Sequence, residues 1–258
     1  NQMLIDYADP EKKYAGGDAA RRYARPEYIT RLQQNHKAGS TYSYAGFDQL
    51  VAVSSGIIRH FLAPAQEMYS LAITELGANE DNITSIKPSI QDEVIKKYSN
   101  NYLVGEFEKL KKDIDNNNTR QIQLEKLYRM IDSLGQLFHL QLTSNSSERR
   151  VFSVAITDTP DDEMNEIIDM GEQLGYFHKS TIGNKTGTGR NRLIILSRIL
   201  APHFKLDATS FAGYKFMDSA KLRMAMIDTK RFLAQFKFTE DDSSSATQLL
   251  LFDGNNPI

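Results

Sequence analysis

Residues 152–196 read FSVAITDTPDDEMNEIIDMGEQLGYFHKSTIGNKTGTGRNRLIIL. Phe152, Val154 and Ile156 alternate with smaller residues, the period-two pattern of a strand. Asp158-Thr159-Pro160-Asp161-Asp162 predicts a helix start, with a capping acid, a proline for the first turn and more acids at the positive end of the dipole. Met164, Ile167, Ile168, Gly171 and Leu174 then recur at three-and-four spacing and mark the inner face of that helix. Tyr176 to Ile182 and Arg192 to Leu196 predict two strands, joined by a loop containing Gly183, Gly187 and Gly189. The order is strand, helix, hairpin.

Charge changes sign along this stretch. Between Asp158 and Glu172 there are seven acidic residues and no Lys or Arg; from Gln173 to Leu206 there are six basic residues and no Asp or Glu. The hairpin, not the helix, is therefore the part suited to a polyanion. Lys179, Lys185, Arg190 and Arg192 lie on or beside its loop, where they can neutralise phosphates. Four such contacts would make affinity fall with salt at a log-log slope of about −3.6. The plainer reading is that exposed hairpins collect Lys and Arg for solubility and edge protection. An acidic helix face would repel a duplex, so major-groove reading by that helix is not expected.

Working outward, a length of 258 residues fits one large domain or two modest ones. Zero cysteines exclude disulfides, thiolate catalysis and zinc ribbons, and point to a reducing, cytoplasmic setting. The net charge of −2 makes any nucleic-acid contact local. No apolar run approaches the ~18 residues that span a bilayer. The opening Asn1-Gln2-Met3 reads as a fragment of something longer.

Upstream, Asp18 to Asn35 predicts a helix, with Pro26 in a first turn and Arg25 extended before it. Phe47 to Val53 is helical. After Ser54-Ser55-Gly56 a long helix carries Ile57, Ile58, Phe61, Leu62, Ala65, Met68, Tyr69 and Ala72 as its apolar stripe, bent at Pro64. Gly77 to Ser85 is a polar linker. Ser89 with Asp92 resembles a capping box, Ser99-Asn100-Asn101 interrupts the next helix, and Tyr102 to Ile114 resumes it. Leu124, Leu127, Ile131, Leu134 and Phe138 mark another buried helix. Glu240 to Ser245 is acidic and serine-rich, which predicts a mobile tail. The fold class expected is mainly α with a small β component. Three parts follow: a helical unit over 1–85, an α+β unit over 86–236 and a tail over 237–258.

Catalytic chemistry finds no support. The five histidines show no paired metal-ligand spacing, and no Gly-x-Ser-x-Gly elbow occurs. Asp161, Asp162 and Glu163 are consecutive on a helix start and point apart. Gly183-Asn184-Lys185-Thr186-Gly187 lacks the phosphate-loop spacing, and a strand follows it where a helix should. No catalytic residue and no metal site is expected. Arg59 is different: it sits off the apolar stripe, just after a glycine-permitted turn, where a guanidinium can reach a phosphate on another domain.

Gly56-x-x-Arg59 at the head of a long helix resembles the second sensor arginine in the lid of AAA+ ATPases. Ile86 to Leu206 resembles the C-terminal winged helix of origin-recognition-type initiator ATPases, and the likeness in helix order extends over residues 15–236. The resemblance implies that Arg59 senses ATP and that Lys185 with Arg190 contacts duplex DNA. It also implies ATP with Mg²⁺ in a longer protein, because no Walker A, Walker B or first-sensor segment occurs in these residues. In the tail, Gln248-Leu249-Leu250-Leu251-Phe252 is similar to the bacterial sliding-clamp-binding pentapeptide Gln-Leu-Ser/Asp-Leu-Phe. That likeness implies a clamp groove as partner for Gln248, Leu249, Leu251 and Phe252. Two functions are thus expected to compete: the DNA-binding portion of an initiator-like ATPase, and an interaction adaptor using the acidic helix and the tail.

Overall fold

The computed structural model describes residues 24–32, 42–76, 83–113, 118–144, 149–183, 189–209 and 213–236. Helix α1 spans 24–32, followed by α2 (Phe47–Ser54), α3 (Ile58–Leu76) and α4 (Pro88–Asn100). A π-helical turn (Asn101–Gly105) joins α4 to α5 (Glu106–Asp113), and α6 covers Asn118–Thr143. Then come β1 (Val151–Ile156), α7 (Asp162–Gln173), β2 (Phe177–Gly183) and β3 (Arg190–Leu196). A 3-10 turn (Arg198–Leu200), β4 (Gly213–Met217), α8 (Ser219–Ile227) and α9 (Thr229–Ala234) complete the described chain. The protein is mainly helical with one small mixed sheet, a helical bundle followed by an α+β unit of strand–helix–hairpin order.

The sheet order is β2-β3-β1-β4, with β1 antiparallel to β3 and parallel to β4. As an inner strand β1 is covered on both faces, and all six of its residues are buried. Ser153 and Ala155 are small because a second covered face leaves them little room, and Ser153 Oγ is satisfied by donating to the Gly213 carbonyl at 3.0 Å. Helix α6 runs through the centre, burying Leu124, Leu127, Ile131, Leu134 and Phe138 as its spacing requires, together with Met130 and Leu137. One hydrophobic cluster extends from Ile29 and Tyr44 to Phe232. Tyr44 ties α2's approach to the α+β unit: its hydroxyl donates to the carbonyls of Leu206 (2.8 Å) and Ala201 (3.2 Å).

Several local expectations are corrected. Helix α7 is capped by Asp161, whose carboxylate accepts the Met164 N–H at 3.0 Å. Asp158 instead accepts from the backbone and hydroxyl of Ser219, so it closes the entry to α8. Helix α4 opens on Pro88 after Lys87, not on a Ser89 cap, and Asp92 accepts from the Tyr44 N–H and pairs with Lys96. Arg25 lies inside α1.

Ser99-Asn100-Asn101 does not break the helix, because the π turn absorbs the irregularity. The Tyr102 carbonyl there accepts the Tyr176 hydroxyl at 3.0 Å, and the Tyr102 hydroxyl donates to the Leu174 carbonyl at 2.9 Å. The stripe of α3 is placed only in part: Met68 and Ala72 are buried and Phe61 and Ala65 pack against the core. Its buried line is His60, Pro64, Met68 and Ala72, whereas Ile58 is 72% and Leu62 58% exposed, and Tyr69 is exposed too. Periodicity finds an apolar face but does not say which of two such faces meets the core.

Candidate nucleic-acid interface

In the β2–β3 register Lys179 faces Ile194, Thr181 faces Arg192 and Gly183 faces Arg190. Lys179, Thr181, Arg190 and Arg192 therefore share one sheet face, beyond the end of the core-forming Ile194 and Leu196. Helix α7 packs on that face. Gly171 allows the approach, since a Cβ there would overlap the Phe177 ring and the Leu127 side chain. Asn165, Asp169 and Glu172, at helical spacing, meet the hairpin: Lys179 Nζ pairs with Asp169 (2.9 Å) and Glu172 (2.5 Å), and Arg192 donates to Asn165 Oδ1 at 2.5 Å. The hydrogen bonds that Lys179 donates to Glu172 and Asp169 push its ammonium pKa upward.

The other acids of α7 are used the same way. Glu163 pairs with Lys126 of α6 and with Arg223 of α8 (3.0 Å), Asp161 pairs with Arg223, and Glu166 accepts from Gln123 at 2.6 Å. Lys126 first, then Arg223, holds the Glu163 carboxyl below its ordinary range. The Met164 N–H, with Arg223 beside it, does the same for Asp161. The expectation of an open acidic face is therefore corrected: the acids clamp α7 to α6, α8 and β2. Sequence shows the run of acids but not the bases that fold onto it, Lys179 from the next strand, Lys126 from α6 and Arg223 from α8.

The four predicted cations are thus not equivalent. Lys179 is doubly paired and Arg192 is tethered to a neutral amide. Arg190 is exposed and makes no ion pair or hydrogen bond among the described residues. Lys185 lies outside the described residues, as do Gln248, Leu249, Leu251 and Phe252. Arg190, Arg192 and Lys179, with the exposed Ser180 and Thr181, line one side of an open groove of about 580 Å³; Asp158, Thr159 and Pro160 line the other. Ser180, Thr181 and the positioning Asn165 were not singled out by sequence, although Asn165 shares the helical spacing of Asp169 and Glu172. The Gly183–Arg190 pairing also shows that the glycine-rich run joins antiparallel strands, which agrees with rejecting a phosphate loop.

Arg59 occupies a separate setting. Ser55 (φ 52°) and Gly56 (φ 76°) both adopt left-handed backbone and turn the chain from α2 into α3. Arg59 is exposed on the first turn of α3 and has no ion pair or hydrogen bond among the described residues. Beside it in α3 Ile58 and, a turn further on, Leu62 are exposed; on α2 Phe47 (71% exposed) and Val51 are exposed too, with the Phe47 and Phe61 rings 5.9 Å apart. Beneath it His60 is buried, its Nδ1 3.2 Å from the Tyr98 hydroxyl and its ring edge-on to Tyr102 at 4.8 Å. Burial, then Arg59 and His178, lowers the His60 pKa to about 4.

A family model described as ORC-CDC6-like matches residues 4–216. The chain belongs to the ORC-CDC6-like family. No curated protein and no solved structure matches it. Membership agrees with the resemblance to initiator-type AAA+ ATPases, and the matched span takes in the Arg59 turn, α7 and the hairpin. Helices α8, which supplies Arg223, and α9 follow the matched residues.

ATP and Mg²⁺ are implied by such a relationship, but the described residues of this ORC-CDC6-like chain do not form a nucleotide site by themselves. No glycine loop among them leads from a strand into a helix, and Arg59 would supply one cation only. Among the described residues no helix is long and apolar enough to cross a membrane.

Proposed function

We propose that this ORC-CDC6-like chain is the nucleotide-responsive, DNA-binding portion of an initiator-like AAA+ ATPase. In this reading the β2–β3 hairpin acts as a wing on the duplex backbone, and Arg59 reads ATP held by a domain outside these residues. The observation that carries it is the pair Arg190 and Arg192 on an open groove beside Thr181, which shares their sheet face. A guanidinium can bind a phosphate with two parallel hydrogen bonds, and a neighbouring hydroxyl can add a third. Because Asp161, Glu163, Asp169 and Glu172 already have bases, much of the repulsion of a duplex by α7 is cancelled at short range. Contacts of this kind carry little base information, so weak sequence discrimination is expected.

Arg59 fits the sensing role through its surroundings. An unpaired guanidinium on a helix turn that also exposes Ile58 and Leu62 is what a residue at a domain junction looks like before the junction forms. The adaptor reading keeps the tail, with Gln248, Leu249, Leu251 and Phe252 as a sliding-clamp peptide. It loses the acidic helix as a working surface, since that helix is internally paired.

The test is a titration with duplex DNA at low salt, followed by replacement of Lys185 and Arg190 with Glu. Binding that the double replacement weakens by about 100-fold supports the proposal. No binding by the unaltered chain at low salt removes it. Unchanged affinity with clamp capture intact favours the adaptor.

A further inference from the structure

The hairpin and the Arg59 turn are joined by hydrogen bonds that neither role requires. The Arg198 N–H, two residues past the end of β3, donates to Ser55 Oγ at 3.0 Å. Its neighbour Ser197 donates its N–H to the Tyr176 carbonyl at 2.9 Å, which pins the start of β2 to the end of β3. Tyr176 in turn donates its hydroxyl to Tyr102 in the π turn, and the Tyr102 ring receives the edge of His60, the residue after Arg59. Two routes therefore connect the base of the hairpin to the turn that carries Arg59. One is a single polar contact at Ser55; the other is a chain of aromatic side chains through Tyr176, Tyr102 and His60.

The left-handed Ser55 is the informative residue. Glycine would take its φ of 52° without strain, as Gly56 takes 76°, yet a serine stands there. The hydroxyl supplies what glycine lacks, an acceptor for Arg198. Without it the Arg198 N–H would lose its side-chain partner in a half-buried position. The π turn holds Tyr102 so that its carbonyl accepts from Tyr176 and its hydroxyl donates to Leu174.

We propose that Ser55–Arg198 and His60–Tyr102–Tyr176 form a coupling joint, so that the hairpin base and the Arg59 turn move as one body. The proposal rests on the reading of Arg59 and the hairpin as the two working ends. It adds the residues through which a change at one reaches the other, in either direction. Ser55, His60, Tyr102 and Tyr176 are positioning residues; none of them lines the groove.

Amide hydrogen exchange on the whole chain tests this without a ligand. Ser55→Gly and Ser55→Ala both remove the acceptor, but only the first relieves the left-handed backbone. A shared effect is therefore due to the lost hydrogen bond. Both variants are expected to speed exchange across residues 190–198 by about tenfold or more, leaving α6 unchanged. From the other end, Tyr176→Phe removes the hydroxyl at nearly constant volume and is expected to speed exchange over residues 55–60. Acceleration confined to Arg198, or spread evenly into α6, overturns the joint. In a second arm, duplex DNA at low salt should protect residues 55–60 in the unaltered chain. In Ser55→Gly it should protect the hairpin only; protection of residues 55–60 there as well would count against the joint. Failure of the chain to bind duplex would sink the proposed function, while the ligand-free arm would still decide the joint.

Discussion

The α7–hairpin face and the α2–α3 face are opposites. On the first, every acid of the Asn165, Asp169, Glu172 stripe meets a hairpin cation, and the remaining acids but Asp162 have partners on α6 or α8. On the second, Phe47, Val51, Ile58 and Leu62 stand exposed, and Arg59 has no ion pair among the described residues. The charged face is internally satisfied and the apolar face is not. Free charge and free apolar surface are what a partner can use, so the candidate contacts are the few groups left over: Arg190 with Arg192 on one side, Arg59 and its apolar rim on the other.

The strongest way to break the first face is steric. Gly171→Leu places a side chain where Phe177 and Leu127 already pack, and should destabilise the chain by about 3 kcal/mol or more. Urea denaturation measures this directly. If α7 merely rested on the hairpin through its charges, the substitution would cost little. Next in size is the loss of duplex affinity on replacing Lys185 and Arg190 with Glu, which the titration above reads. The matched control is Arg59→Glu, which should leave duplex binding nearly unchanged, because that residue belongs to the other face.

Acid should weaken both regions through buried imidazoles. His139 in α6 is buried, and desolvation, then Lys205, lowers its pKa to about 4; His60 is lowered to about 4 as well. A base whose folded pKa lies below its unfolded value binds more protons when unfolded. The stability it contributes is therefore complete above the unfolded pKa of about 6.5 and is lost as pH falls toward about 4. For His139 the loss should approach about 3 kcal/mol over that window. Denaturation midpoints measured across it in the unaltered chain and in His139→Leu check the assignment. The variant should retain only the part of the slope that His60 and His203, also lowered by desolvation, supply.

Legibility in the sequence followed how local each determinant was. The strand, helix and hairpin of residues 151–196 were readable because period, caps and glycines lie within the elements they define. Strand β4 and helices α8 and α9 were not claimed, although Asp218 and Asp228 cap the two helices and accept the N–H groups of Lys221 and Arg231. A parallel edge strand 57 or more residues from its partner gives no short-range turn signal. The candidate cations were found by charge alone, and their inequality was not, because Asp169, Glu172 and Asn165 meet the hairpin only after the chain has folded back. Arg59 was found from its turn, while the exposure of Ile58 and Leu62 contradicts the apolar stripe drawn from spacing.

Lys179 provides the smallest and sharpest test of that inequality. Counting all four hairpin cations gives a salt slope of about −3.6, whereas leaving out Lys179 gives about −2.7. Its ammonium already has two carboxylate partners at 2.9 and 2.5 Å, and contacting a phosphate would require giving up at least one. The released Asp169 or Glu172 would then face the duplex unpaired, adding repulsion to the lost pair. Lys179→Gln should therefore leave the slope near about −2.7, within the change of about 0.9 expected for one phosphate contact, while weakening the α7–hairpin junction. Arg190→Gln should shallow the slope by about that 0.9. Equal slope changes in the two variants would mean that Lys179 leaves its carboxylates for DNA, and the charged face would then be less closed than its ion pairs make it.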